Sequence, residues 1–132
     1  MRRFLLIVFE ALCLHQSAFA QTTSAPAVTK APTGPLAVAL KTLRQSDVVL
    51  LDVRTPEEFA AGHLAGAQNL DFRAPGFQEK VAKLDKAKTY VLYCASGNRS
   101  GQANVLMEEA GFGKVVNAGA FKDLKAAGLK TE

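Results

Sequence analysis

Apolar and polar positions along this chain switch repeatedly between the helical and the strand period. Leu36, Ala39, Leu40 and Leu43 recur at helical spacing behind Pro35, which predicts a first helix running to Gln45. Val48-Val49-Leu50-Leu51 is a continuous apolar run, the mark of a strand covered on both faces, and it leads into Asp52-Val53-Arg54. Thr55, Pro56 and Glu58 then stand where an N-cap, a first helical residue and a capping-box partner belong, so a short helix starts there and stops by Gly62. A short strand is expected around Gln68 to Leu70, a loop over Asp71 to Pro75, and a helix from Phe77 to Leu84 on Phe77, Val81 and Leu84. Thr89 to Tyr93 reads as a buried strand, Gln102 to Ala110 as a helix capped by Gly111, Lys114 to Val116 as a further strand, and Phe121, Leu124 and Leu129 as a terminal helix. Short strands alternating with helices predict an α/β fold with helices on both faces of the sheet.

The chain is centred on Tyr90-Val-Leu-Tyr-Cys94-Ala-Ser-Gly-Asn-Arg99-Ser100-Gly101, where a strand runs into a cysteine, a polar loop and a helix. At such a junction the N–H groups of the turn and of the first helical turn converge, and an anion is favoured. A thiolate is an anion. Cys94 so placed, with Arg99 able to fold back over it, has a thiol pKa below the ordinary value of about 8.5 and acts as a nucleophile. The alternative is a buried structural cysteine, against which stand the polar, turn-forming residues that follow and the fixed cation that ends them.

Composition adds a compartment. The 132 residues are 48% hydrophobic, enough for one domain with a core of its own. Met1-Arg2-Arg3, the apolar run Phe4 to Phe9 and a small-residue site at Ala18-Phe19-Ala20 have the three parts of a secretory signal peptide, with cleavage expected after Ala20. The run is interrupted by Glu10 and falls short of the roughly 20 residues a bilayer needs, so stable membrane insertion is not expected after cleavage. Residues 21–35 are rich in Thr, Ser, Ala and Pro without apolar period and read as a flexible lead-in, which leaves 36–132 as the domain. Cleavage removes Cys13 and His15, so Cys94 would be the sole thiol of an exported, bacterial periplasmic protein, unable to form an internal disulfide. Losing Arg2, Arg3 and Glu10 takes the formal charge from +4 to +3, spread without runs or aromatic interleaving, so no nucleic-acid partner is expected. No grouping of His, Cys, Asp and Glu has metal-ligand spacing, and no metal or cofactor is expected.

Asp52-Val-Arg54-Thr-Pro-Glu-Glu58-Phe59, Gly62-His63, Gly66-Ala67, Tyr93-Cys94-Ala-Ser-Gly97-Asn-Arg99-Ser100, Ala110-Gly-Phe112 and Val116-Asn-Ala-Gly119 together resemble a single-domain rhodanese, a thiosulfate sulfurtransferase, over about residues 36 to 128. The likeness is strongest to the small periplasmic phage-shock rhodaneses. It implies a central parallel sheet of about five strands flanked by helices, and a ping-pong reaction. In that reaction Cys94 takes the outer sulfur of thiosulfate as a persulfide and passes it to cyanide or another thiophilic acceptor. Backbone N–H groups of Ala95, Ser96, Gly97, Asn98, Arg99 and Ser100 would surround the persulfide, and Arg99 would orient an oxyanion substrate. Ala65 stands where such domains often have proline, and Ala120 replaces the second glycine of a frequent pair, on the rim where the acceptor would come.

Asp52 and Arg54 are read first as an ion pair holding the rim and second as substrate contacts. His63 is read first as a local hydrogen-bonding group after the Gly62 turn and second as a general base. Two rival functions share the cysteine-arginine loop. A phosphatase or arsenate reductase of the related cell-cycle type would carry a longer loop than the four residues between Cys94 and Arg99. The second is a non-enzymatic module, either an inactive rhodanese-like domain that binds a partner, against which the presence of both Cys94 and Arg99 stands, or a sulfur carrier, which would look the same in sequence.

Overall fold

The computed structural model describes residues 32–132; the expected signal peptide and most of the lead-in lie outside them. Four strands, β1 (Val48–Asp52), β2 (Gln68–Asn69), β3 (Thr89–Cys94) and β4 (Val115–Ala120), form one sheet in the order β2-β1-β3-β4. Every pairing is parallel. The helices are α1 (Pro35–Thr42), α2 (Pro56–Ala60), α3 (Phe77–Ala82), α4 (Asn98–Glu109) and α5 (Phe121–Ala126).

Alternation along the two central strands divides the interior. Leu51 and Val53 of the β1 segment and Tyr90, Leu92 and Cys94 of β3 face one side, where Phe77 and Val81 of α3 and Ala103 and Met107 of α4 cover them. Leu50, Val91 and Tyr93 face the other, against Ala39 of α1 and Leu124 of α5. Burying each such aliphatic side chain is worth about 1.5–3 kcal/mol, so the apolar runs place β1 and β3 at the centre. With parallel strands, Asp52, Cys94 and Ala120 all end on one rim.

Four expectations need correction. Among the described residues the sheet has four strands, not about five. Backbone groups of His63 and Ala65 pair instead with Lys130 and Glu132, in an antiparallel bridge apart from the sheet. Helix α4 begins at Asn98 rather than Gln102, because Gly97 turns the chain with φ 91° and the polar residues of the first turn carry no apolar period. Strand β4 continues to Ala120, beyond Val116, through a bulge at Ala118 where the register on β3 shifts. Helix α1 ends at Thr42, short of Gln45.

Candidate active site

The period-two alternation of β3 decides where Cys94 points. It shares a face with Tyr90 and Leu92, beneath α4, and is paired in register with Ala120 of β4. The residue is wholly covered (0% exposed), yet polar hydrogens are directed at its sulfur. The Gly97 N–H donates to Sγ at 3.0 Å, and Ser100 Oγ lies 3.5 Å from it. Burial pushes the thiol pKa up. The Ser100 hydroxyl and the backbone groups of Ser100, Ser96 and Gly97 outweigh that burial and hold the pKa below the usual thiol value. The first turn of α4 adds the positive end of its dipole at the same place.

Gly97 makes this approach possible. Its φ of 91° is unfavourable for any side chain, and a Cβ there would stand 3.2 Å from the Cα of Gly119 in β4. Asn117 locks the two segments together. Its Nδ2 donates to Gly97 O at 3.2 Å, and its Oδ1 accepts from Gly119 N at 3.0 Å and from Ser100 Oγ at 2.8 Å.

Arg99 lies in the first turn of α4 and its guanidinium pairs end-on with Glu58. Nη1 donates to Oε2 at 2.8 Å and Nη2 to Oε1 at 2.9 Å. That pairing raises the Arg99 pKa against a smaller opposing effect of burial, and the nearby Cys94 sulfur raises it further. Glu58 also makes the capping box expected at α2. Its Oε2 accepts from Thr55 N at 2.9 Å, while Thr55 Oγ1 accepts from Glu58 N. The Arg99 hydrogen bonds, more than those of Thr55, hold the Glu58 carboxyl at about 2 against burial.

The remaining expected residues separate. Ala95, Ser96 and Asn98 are exposed, and the Asn98 side chain accepts from Gln102 rather than facing the sulfur. Asp52 and Arg54 form a buried, multiply hydrogen-bonded ion pair. Arg54 Nη2 also donates to Gly62 O at 2.8 Å, and its guanidinium lies over the Phe121 ring at 4.3 Å. Such a pair holds the rim. His63 stacks on Phe59 at 3.6 Å; Nδ1 is 2.9 Å from Phe59 O and Nε2 is 3.5 Å from a Glu132 carboxylate oxygen. Both ring nitrogens therefore have local partners.

Two residues at the site were not singled out for it by the sequence. Glu58 was legible only as a helix cap, although a capping glutamate on the segment after a central strand is near the rim by topology. Asn117 carries no local signal beyond its place before Gly119 on the last strand.

Comparison with known proteins bears on this arrangement. Residues 36–127 match the rhodanese-like domain. The chain is 36% identical over 80 residues to the thiosulfate sulfurtransferase PspE of Escherichia coli K12, covering 61% of this chain and 77% of that one. It superposes on a rhodanese with anions from E. coli with a TM-score of 0.55 and 33% identity, over 64% of this chain and 96% of the other. A rhodanese-related protein from Thermoplasma volcanium gives a TM-score of 0.63 at 26% identity, over 74% and 93% of the two chains. The parallel sheet and the match over most of its length agree, and the chain belongs to the rhodanese-like domain family.

Proposed function

We propose that this protein is a sulfurtransferase that carries sulfane sulfur from thiosulfate to cyanide or another thiophilic acceptor as a persulfide on Cys94. The observation that carries the reading is the Cys94 sulfur, which receives the Gly97 N–H at 3.0 Å with the Ser100 hydroxyl beside it and has a lowered pKa. The names of related proteins, thiosulfate sulfurtransferase among them, agree with it.

In the first step the Cys94 thiolate attacks the outer sulfur of thiosulfate. A bond forms between the two sulfurs, the original sulfur–sulfur bond breaks, and its electron pair leaves with sulfite. The persulfide keeps the single negative charge that the thiolate had, so the same hydrogen-bond donors stabilise reactant and product. In the second step cyanide attacks the outer sulfur, thiocyanate leaves and the thiolate is restored. Arg99 orients the sulfonate end of the donor. The exposed Ala95 and Ser96 form the solvent side of the loop through which the donor comes.

The same reading takes residues 1–20 as a signal peptide, 21–35 as a flexible lead-in and 36–132 as a domain that works in the bacterial periplasm. Among the described residues no helix is long and apolar enough to cross a membrane.

Intact mass of the purified protein before and after thiosulfate tests the proposal. The expected result is a gain of one sulfur atom, absent in Cys94→Ser, with thiocyanate produced on addition of cyanide. Phosphoester hydrolysis without sulfur uptake overturns it. Persulfide formation with thiocyanate at the Cys94→Ser background would make the protein a carrier.

A further inference from the structure

Arg99 has five N–H donors, and the end-on pairing with Glu58 uses one from Nη1 and one from Nη2. The Nε–H and the Nη hydrogen beside it form a second, side-on fork that this pairing leaves free. A carboxylate that grips one edge of a planar guanidinium fixes the direction of the other edge. Glu58 is itself fixed, since Oε2 also accepts the Thr55 N–H in the α2 capping box. The chain thus runs from the backbone of α2 through Glu58 to the first turn of α4, between residues 41 apart in sequence.

From this geometry we propose that Glu58 is a positioning residue for anion binding, holding Arg99 so that its side-on fork faces an oxyanion brought to the Cys94 loop. The inference rests on Arg99 receiving the anionic end of the sulfur donor. A carboxylate so close to an anion site also has an opposite effect to consider, because its charge repels the substrate and competes for the guanidinium. The two effects predict opposite signs when the charge is removed. If competition dominated, neutralising Glu58 would tighten anion binding; if positioning dominates, it weakens it.

Glu58→Gln is the informative variant, because glutamine also serves as the capping-box partner and α2 keeps its cap. Its amide offers one acceptor and two donors in place of two acceptors, so the two-point pairing with Arg99 is lost. The expected result is a KM for thiosulfate raised about tenfold with kcat changed less than about twofold, since the oxyanion is charged before and after sulfur transfer. In an Arg99→Lys background, where no fork remains to be aimed, the same Glu58→Gln change should leave KM unaltered. A fall in KM, no change in KM, or an equal effect with and without Arg99 overturns the proposal.

A second measurement does not depend on sulfur chemistry. The ratio of Cys94 alkylation rates by anionic iodoacetate and neutral iodoacetamide reports anion steering alone. It should fall in Glu58→Gln, and an unchanged or increased ratio overturns the positioning role. If wild-type protein gains no sulfur from thiosulfate while Glu58→Gln still shows the expected drop in this ratio, the sulfurtransferase reading sinks and Glu58 stands as the positioning residue of an anion site.

Discussion

The Ser100 hydroxyl donates to the Asn117 side-chain oxygen at 2.8 Å while its oxygen lies 3.5 Å from the Cys94 sulfur. One hydroxyl hydrogen cannot serve both neighbours at once. With Cys94 as a thiol, the S–H can point to Ser100 Oγ and the hydroxyl to Asn117. With Cys94 as a thiolate, the hydroxyl turns to the sulfur, and Asn117 Oδ1 still receives Gly119 N–H. No buried polar group is stranded in either state, so ionisation of the sulfur requires only a bond rotation.

Removing that rotor should disfavour the thiolate. In Ser100→Ala the pH profile of Cys94 alkylation should move to higher pH by about one unit, the worth of one hydrogen bond to a charged group. Wild-type reactivity should rise with pH and level off below the usual thiol range, because the native pKa is depressed. Coincident profiles for the two proteins would remove Ser100 from the cradle.

Asn117→Asp keeps the oxygen that accepts from Gly119 but loses the donor to Gly97 O and adds a negative charge near the sulfur. Sulfur loading at pH 7 should slow by at least tenfold, while the fold is retained. Mass spectrometry after a timed thiosulfate pulse measures this; loading at the wild-type rate would contradict the role given to β4.

Gly97→Ala combines a left-handed backbone angle with a 3.2 Å contact to Gly119 Cα. The cost should be about 1–3 kcal/mol in urea unfolding, with loss of sulfur uptake even in the folded fraction. A stable variant that still loads sulfur would mean that the two backbones can separate without consequence.

Acid should unmake the Glu58–Arg99 pair in a definite window. The Glu58 carboxyl is depressed from the ordinary 4.5 to about 2, so its contribution to stability is full above about 4.5 and is lost as pH falls towards 2. Because a third of the Glu58 side chain is open to water (35% exposed), screening reduces that contribution to about 1 kcal/mol. The stability gap between wild type and Glu58→Gln should therefore close on acidification from pH 7 to 2.5, and a constant gap would refute the ion pair as its source.

Tyr93 offers a control away from the chemistry. Its hydroxyl accepts the buried Leu64 N–H at 3.0 Å, and burial first of all keeps it protonated well above its ordinary range. Tyr93→Phe should cost about 1–3 kcal/mol by leaving that N–H unpaired, with sulfur uptake per folded molecule unchanged.

What could be read from the sequence was whatever local chemistry dictates. Thr55, Pro56 and Glu58 announce a helix start because capping is settled within four residues, and the structure has that capping box. The apolar runs at Val48 and Thr89 name the central strands because only burial on both faces tolerates them. The start of α4 was hidden, since Asn98, Arg99 and Ser100 carry no apolar stripe and become helical through a glycine turn and contacts with the sulfur. The second role of Glu58 and the brace at Asn117 were hidden for another reason. Both depend on partners distant in sequence, brought near only when α2 and β4 end on the rim of the sheet.

The complete enclosure of the Cys94 sulfur has a consequence for how this thiol would meet oxidants. A nucleophile with no surface of its own is poorly reached by bulky disulfides such as oxidised glutathione or another protein's cystine, whereas a small inorganic anion is the less hindered reagent at a turn whose Ala95 and Ser96 are exposed. Size exclusion, more than reactivity, would then decide which reagents this cysteine meets.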